Sequence, residues 1–261
     1  MSSLCRAIGP HGGERGVCED CLKLVGRRIG EMLLWQRDGE ESSVSVEELL
    51  PDPDRLIAAG EILPGRGRGC TIARITLAGN DYVLKKFAYR GIWYGFRHVF
   101  KRSRALKVFV NQSLAHASGV VVPLPLLCLE ERRGRFLRNC YLLDSYLPES
   151  RTLDACWDEL SPPGRAEILA AAGRCYRLLH GAGILHGDSN WRNLLITCEK
   201  IGMQVWLIDF DNSRRPLFCP DRWRQRDLDH FVRDMRYRGM TDEAVDGFRS
   251  AATPVSPQYR A

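Results

Sequence analysis

Residues 186–193 read HGDSNWRN, and residues 205–211 read VWLIDFD. Asn193 follows Asp188 by five residues, and sixteen residues further on Asp209 closes an apolar run. Oxygen-bearing side chains pointed inward are costly unless a cation or a reacting group sits among them. The run Val205–Ile208 reads as a buried strand that delivers Asp209 at its end, where a hard oxygen donor for a divalent cation belongs.

Upstream of this stretch, GRAEILAAAGRCYRLLHGAG (164–183) places Ile168, Ala172, Cys175 and Leu179 at helical spacing, with Ser161 and two prolines at its entry and Gly181 and Gly183 as stop signals. Earlier, EILPGRGRGCTIARITLAGNDYVLKKF (61–87) shows two β-rich runs punctuated by Gly and Asn. A further strand pair is expected around 120–130 and 138–147, separated by the turn EERRGR. After Asp211 the pattern becomes polar and helical, and TPVSPQYRA (253–261) reads as a loose tail. Strands first and helices after them predict an α+β chain of two lobes, a small antiparallel β lobe and a short helical lobe. The expected division is an N-terminal extension over 1–55, lobes over 56–147 and 148–240, and a tail from 241. Within the extension, CLKLVGRRIGEMLLW (21–35) is read as a short helix and 38–54 as an acidic turn.

The totals bound the partners. The 261 residues carry a net charge of +6, which favours an anionic partner such as a nucleotide, a nucleic acid or a phospholipid surface. The N-terminus has no apolar core of the length an export signal needs. The apolar stretch GVVVPLPLLCL (119–129) has eleven residues and two prolines, against the roughly 20 a bilayer span requires. Ten cysteines are scattered and several sit inside apolar runs, which favours packed free thiols over disulfides. Cys18 and Cys21 with Cys5 and His11 supply the donors of a zinc site, but a second CxxC is missing and loop thiols are the preferred reading.

Phosphoryl transfer needs the nucleotide's charge held by metal and backbone, and a carboxylate that orients the attacking hydroxyl. Asp188 suits the second task, while Asn193 and Asp209 suit Mg²⁺. Lys85, at the end of an alternating strand, is placed to reach phosphates; a one-residue shift would give that role to Lys86. Gly65, Gly67 and Gly69 permit close backbone approach to a phosphate, although a Gly-rich turn by itself is more often a hairpin. The order and spacing of HxDxxxxN followed by strand-Asp-Phe-Asp carry more weight than any single piece.

These motifs resemble the protein-kinase-like superfamily. Gly187 stands where protein kinases carry Arg, and Asp211 replaces the Gly of Asp-Phe-Gly. Together with YVLKKFAYRGIWYGF, YLLDSYLP and WRQRDLDHF, the IDFD ending is similar to the lipopolysaccharide inner-core kinases, the Kdo and heptose kinase family, over about residues 60–235. The resemblance implies a two-lobed protein-kinase-like fold, Mg-ATP as cofactor, and a sugar hydroxyl of the lipid A-linked core oligosaccharide as acceptor. It assigns Asp188 as base, Lys85 to the phosphates, Asn193 and Asp209 to Mg²⁺, and backbone at Ser145, Tyr146 and Leu147 to adenine. It also implies a cytoplasmic enzyme peripheral to the inner face of the inner membrane.

One departure stands out. The superfamily pairs its strand lysine with a helix Glu, but Val108 occupies the expected position and no Asp or Glu occurs from 82 to 129. Asn111 and Gln112 are the nearest replacements. The departure makes a nucleotide-binding pseudokinase the second reading. The same acid-free stretch, KKFAYRGIWYGFRHVFKRSR (85–104), interleaves cations with aromatics and suits a membrane interface. RNA would suit it as well, which gives a third reading.

Overall fold

The computed structural model describes residues 22–38, 46–64, 69–87, 101–199 and 202–253. They fall into two compact units, one formed by Leu22–Ser113 and Pro123–Tyr146, the other by Leu114–Val122 and the chain from Leu147 onward.

The first unit is built on a seven-stranded antiparallel sheet. Its strands are β1 (Leu24–Ile29), β2 (Met32–Arg37), β3 (Glu61–Ile62), β4 (Cys70–Leu77), β5 (Asn80–Phe87), β6 (Pro125–Arg133) and β7 (Phe136–Ser145), in the order β1-β2-β6-β7-β5-β4-β3. Helices α1 (Val46–Leu49), α2 (Pro53–Ala59) and α3 (Arg104–Ala117) accompany it. Period-2 alternation sends Ala73, Ile75 and Leu77 of β4, Tyr82 and Leu84 of β5, and Tyr141 and Leu143 of β7 into one core with Ile57 of α2. The β4–β5 turn has positive φ at both Ala78 (48°) and Gly79 (80°), the geometry that matches strand twist in a two-residue hairpin.

The helix expected over 21–35 is instead the β1–β2 hairpin, paired from Leu24↔Arg37 to Ile29↔Met32. Two glycines in that stretch disfavour a helix, and β2 gains a partner in β6 that local sequence does not reveal. Residues 24–37 and 46–59 are therefore part of the sheet unit, not an appendage to it. The β6–β7 turn is tighter than EERRGR suggested and is confined to Gly134 and Arg135.

The second unit holds α4 (Leu153–Cys156), α5 (Pro162–Gly181), α6 (Asp221–Tyr237), α7 (Asp242–Ala252) and a three-stranded sheet in the order β10-β9-β8, made of β8 (Arg151–Thr152), β9 (Leu194–Glu199) and β10 (Gly202–Leu207). Ser161 caps α5 by accepting from the Gly164 N–H at 3.3 Å, with two prolines in the first turn. Residues 242–252, assigned from sequence to a tail, form α7 with Val245, Phe248 and Ala252 buried. It packs on α5 at Gly173, where a Cβ would lie 2.6 Å from that of Ala251. Phe248 stacks on Phe231 of α6 at 4.3 Å. The seven cysteines of the described residues are free thiols, and burial pushes Cys140 and Cys175 up to about 11. The Cys18–Cys21 pair lies outside the described residues, as does the tail beyond Thr253.

Candidate active site

The loop that follows α5 carries His186, Gly187 and Asp188, and its shape is set from α6. The Asp227 carboxylate accepts the backbone N–H of His186 at Oδ2 (2.8 Å) and of Gly187 at Oδ1 (2.7 Å), and Oδ2 also meets Nε2 of His180 at 3.0 Å. The Asp227 side chain is 3% exposed. Burial works against its charge, but hydrogen bonds from His180 and Gly187 and the nearby imidazoles outweigh it and hold the carboxyl below the ordinary range. Asp234, two turns on, accepts the Trp191 N–H at 3.1 Å. Asp227, Phe231 and Asp234 share one helical face at i, i+4 and i+7. That spacing is the sequence signal for a helix that grips a loop, and no role was assigned to Asp227 from sequence.

Gly187 shows why this loop reads HGD. Its φ is +81°, and a Cβ would lie 2.4 Å from the Asn212 carbonyl oxygen. No L side chain fits that backbone without displacing the segment that follows Asp209. That segment is tied back by two hydrogen bonds of 2.9 Å between Leu185 and Arg214. Buried His186 meets the Ile208 carbonyl through Nε2 at 2.9 Å and packs on Phe210 with ring centroids 5.3 Å apart. His186 is thus a structural brace between the two motifs.

The three candidate residues are brought to one place by this framework. Asp188 accepts at Oδ1 from Asn190 Nδ2 at 2.8 Å, with His230 Nδ1 at 3.8 Å. Among the described residues, Asp188 Oδ2 has no partner. Asn193 donates through Nδ2 to the Asp188 carbonyl at 2.8 Å, which leaves its amide oxygen as an acceptor. The Asn193 carbonyl takes the Ile208 N–H at 2.9 Å, so Asp209 is one residue from the strand that flanks Asn193. Asp209 itself is left-handed (φ 63°, ψ 68°), a conformation that costs a non-Gly residue roughly 1–2 kcal/mol. Fully buried Phe210 and the bond from Ser213 Oγ to the Phe210 carbonyl fix the turn that imposes it. Neutral and charged oxygens of this kind fit a hard divalent cation.

In the sheet unit, Lys85 has a carboxylate partner after all. Its Nζ lies 2.8 Å from Asp144 Oδ2. Lys85 pairs with Leu142 and Val83 with Asp144, so Lys85 and Asp144 are diagonal neighbours on one sheet face. Gln112 of α3 donates to Asp144 Oδ1 at 3.2 Å and to the Pro123 carbonyl at 2.8 Å. The expected stand-in on the helix therefore acts through Asp144. Burial raises the Asp144 pKa above the ordinary value, against the pull of Lys85 and Gln112. Lys86 points to the opposite face, where it pairs with Asp54 of α2 at 2.6 Å, and it does not replace Lys85.

Ser145 ends β7; its N–H donates to the Leu124 carbonyl at 2.9 Å and its Oγ accepts from the Leu124 N–H at 2.8 Å. The ring of Tyr146 lies 4.5 Å below the Arg74 guanidinium. In the other unit, the Leu147 carbonyl accepts from Ser150 Oγ at 2.9 Å. Gly69 enters β4 with φ 119°, while Gly65 and Gly67 lie outside the described residues. So does most of the basic aromatic stretch, over 88–100.

The sequence model of the lipopolysaccharide kinase (Kdo/WaaP) family matches residues 65–251. The chain belongs to that family. It is 29% identical over 134 residues to a 3-deoxy-D-manno-octulosonic acid kinase of Vibrio cholerae serotype O1, covering 51% of this chain and 54% of that one. To the enzyme of the same name from Xanthomonas oryzae pv. oryzae (strain PXO99A) it is 32% identical over 162 residues, 60% of this chain and 59% of the relative. The chain spans about half the length of the curated relatives it matches. A solved structure described as WaaP in complex with acyl carrier protein superposes with a TM-score of 0.56 at 18% identity, covering 80% of this chain and 86% of that chain. That likeness shows the protein-kinase-like fold.

The Asp227 clamp has a pH signature. Its carboxyl is held below the unfolded value of about 3.9, so its stabilisation is complete above that pH and is lost as pH falls through the folded pKa. Urea unfolding at a series of pH values is expected to show Asp227→Ala less stable than wild type by about 3–5 kcal/mol at pH 7, with the gap shrinking below about pH 4.

Proposed function

We propose that this protein transfers the γ-phosphoryl group of ATP to a sugar hydroxyl, on Kdo or heptose, of the lipopolysaccharide inner core. The observation that carries the reading is the loop held by Asp227, which leaves Asp188 Oδ2 open while Asn193 braces the Asp188 backbone. In this reading Asp188 orients the acceptor hydroxyl and takes up its proton. Asn193 and Asp209 hold Mg²⁺ by oxygen donors, and when bound the ion would neutralise charge on the transferring phosphates. Lys85 and the Gly65–Gly69 loop hold phosphates, and the backbone at Ser145–Leu147 contacts adenine. Most of the acceleration would come from positioning, since phosphoryl transfer asks little covalent chemistry of the protein.

The acceptor is the lipid A-linked core oligosaccharide, and we place the protein at the cytoplasmic face of the inner membrane, with the 85–104 segment toward the lipid. Among the described residues no helix is long and apolar enough to cross a membrane. A pseudokinase was the second reading because the helix Glu is missing. The Lys85–Asp144 pair weighs against that reading, because it offers the lysine a negative charge from the sheet. No observation in the described residues favours RNA.

Labelled γ-phosphate is expected to pass from Mg-ATP to one of two purified acceptors, Kdo-bearing or heptose-bearing lipid A, with loss of at least about a hundredfold in Asp188→Asn. ATP binding without transfer to any acceptor would return the pseudokinase. A second experiment tests the lysine's partner. Asp144→Asn is expected to raise KM for ATP and lower kcat, and adding Gln112→Glu, which moves the carboxylate to the helix, should restore much of both. If the double variant is no better than the single one, Asp144 serves folding and not Lys85.

A further inference from the structure

The segment between the IDFD turn and α6 has no part in the chemistry above, yet it exposes large apolar side chains. Leu217 is 111% exposed and Phe218 77%, and Trp223 in the first turn of α6 is also exposed. Pro216 and Pro220 bracket Leu217, Phe218 and Cys219, and each proline locks its own φ, so the tip has few ways to fold its apolar side chains back. Adjacent exposed apolar groups of this size mark a surface that meets something.

Charge indicates what that is. Arg222 and Arg226 lie one helical turn apart on α6, and among the described residues neither has a carboxylate partner. With Trp223 and Arg249 they line a shallow groove in which the acid Asp229 is already paired with Arg249 at 3.2 Å. Apolar tip, interfacial tryptophan and unpaired arginines in one short stretch match the layering of an anionic bilayer, with acyl chains below and phosphates above.

The position of this face links it to the site. The segment starts at Arg214, which is hydrogen-bonded in both directions to Leu185, next to His186. It ends in α6, whose Asp227 and Asp234 hold the catalytic loop and whose His230 lies 3.8 Å from Asp188. Both ends of the tip are thus anchored in the structure that sets Asp188.

We propose that Leu217 and Phe218 insert into the acyl region of an anionic lipid bilayer while Arg222 and Arg226 bind its headgroup phosphates, seating the catalytic loop at the membrane surface. The inference rests on the kinase reading for its purpose but not for its test. Co-sedimentation with vesicles of phosphatidylglycerol and phosphatidylethanolamine should show binding by the full chain that weakens with salt and is much poorer on neutral phosphatidylcholine. Leu217→Ser/Phe218→Ser should bind at least about tenfold more weakly while keeping its salt dependence. Arg222→Gln/Arg226→Gln should lose much of the salt dependence. Phe218→Trp should shift its fluorescence to the blue on vesicles and be quenched by brominated lipid.

Phosphorylation of a water-soluble, deacylated acceptor should be unchanged in Leu217→Ser/Phe218→Ser, and that of the same acceptor in vesicles reduced. If the wild type ignores anionic vesicles, or if the variants bind them as the wild type does, the proposed face is wrong whatever the kinase assay shows. If vesicle binding behaves as expected and no acceptor is phosphorylated, the membrane face stands and the kinase reading falls.

Discussion

The arrangement depends on one buried carboxylate. Asp227 takes two backbone N–H groups and an imidazole at 2.7–3.0 Å, and in doing so fixes a loop that has no regular structure of its own. A loop of this kind would otherwise leave its backbone donors to water. Around that anchor the other constraints follow in sequence. Gly187 must be glycine because the Asn212 carbonyl stands where its side chain would go, and Asn212 is there because Leu185 and Arg214 are hydrogen-bonded to each other. Asp209 then enters a left-handed turn whose cost is met by the buried Phe210.

The sheet unit solves a different electrostatic problem. In the proposed function Lys85 holds phosphates, a task that needs a negative partner able to orient it without neutralising it permanently. Here the partner comes from the neighbouring strand, so the pairing is set by sheet register. The raised pKa of Asp144 means that its ionised form is a net cost to folding, and that contribution worsens as pH rises through the folded pKa.

Much of this was legible in the residues. The HxDxxxxN spacing and the apolar strand before Asp209 pointed to the candidate site because both encode geometry locally, in a turn and in a strand end. The helix at 162–181 declared itself through periodicity and its Ser-Pro-Pro entry. What was hidden depended on partners distant in sequence. The β1–β2 hairpin resembled a helix because its stabilising neighbour, β6, lies about ninety residues away. Asp144 was not legible because related folds draw the counter-ion from the helix that follows the lysine strand, whereas here strand pairing brings in a residue 59 positions later. Asp227 escaped notice because a carboxylate in an arginine-rich helix looks solvated until the loop it grips is seen.

The most direct test of the central claim is the dependence of ATP binding on divalent cation, measured by isothermal titration for wild type, Asn193→Ala and Asp209→Asn. The wild type is expected to bind ATP tightly only with Mg²⁺, and each substitution to remove most of the Mg²⁺-dependent gain while leaving the weak metal-free binding in place. Equal Mg²⁺ dependence in all three proteins, or none in the wild type, would contradict it.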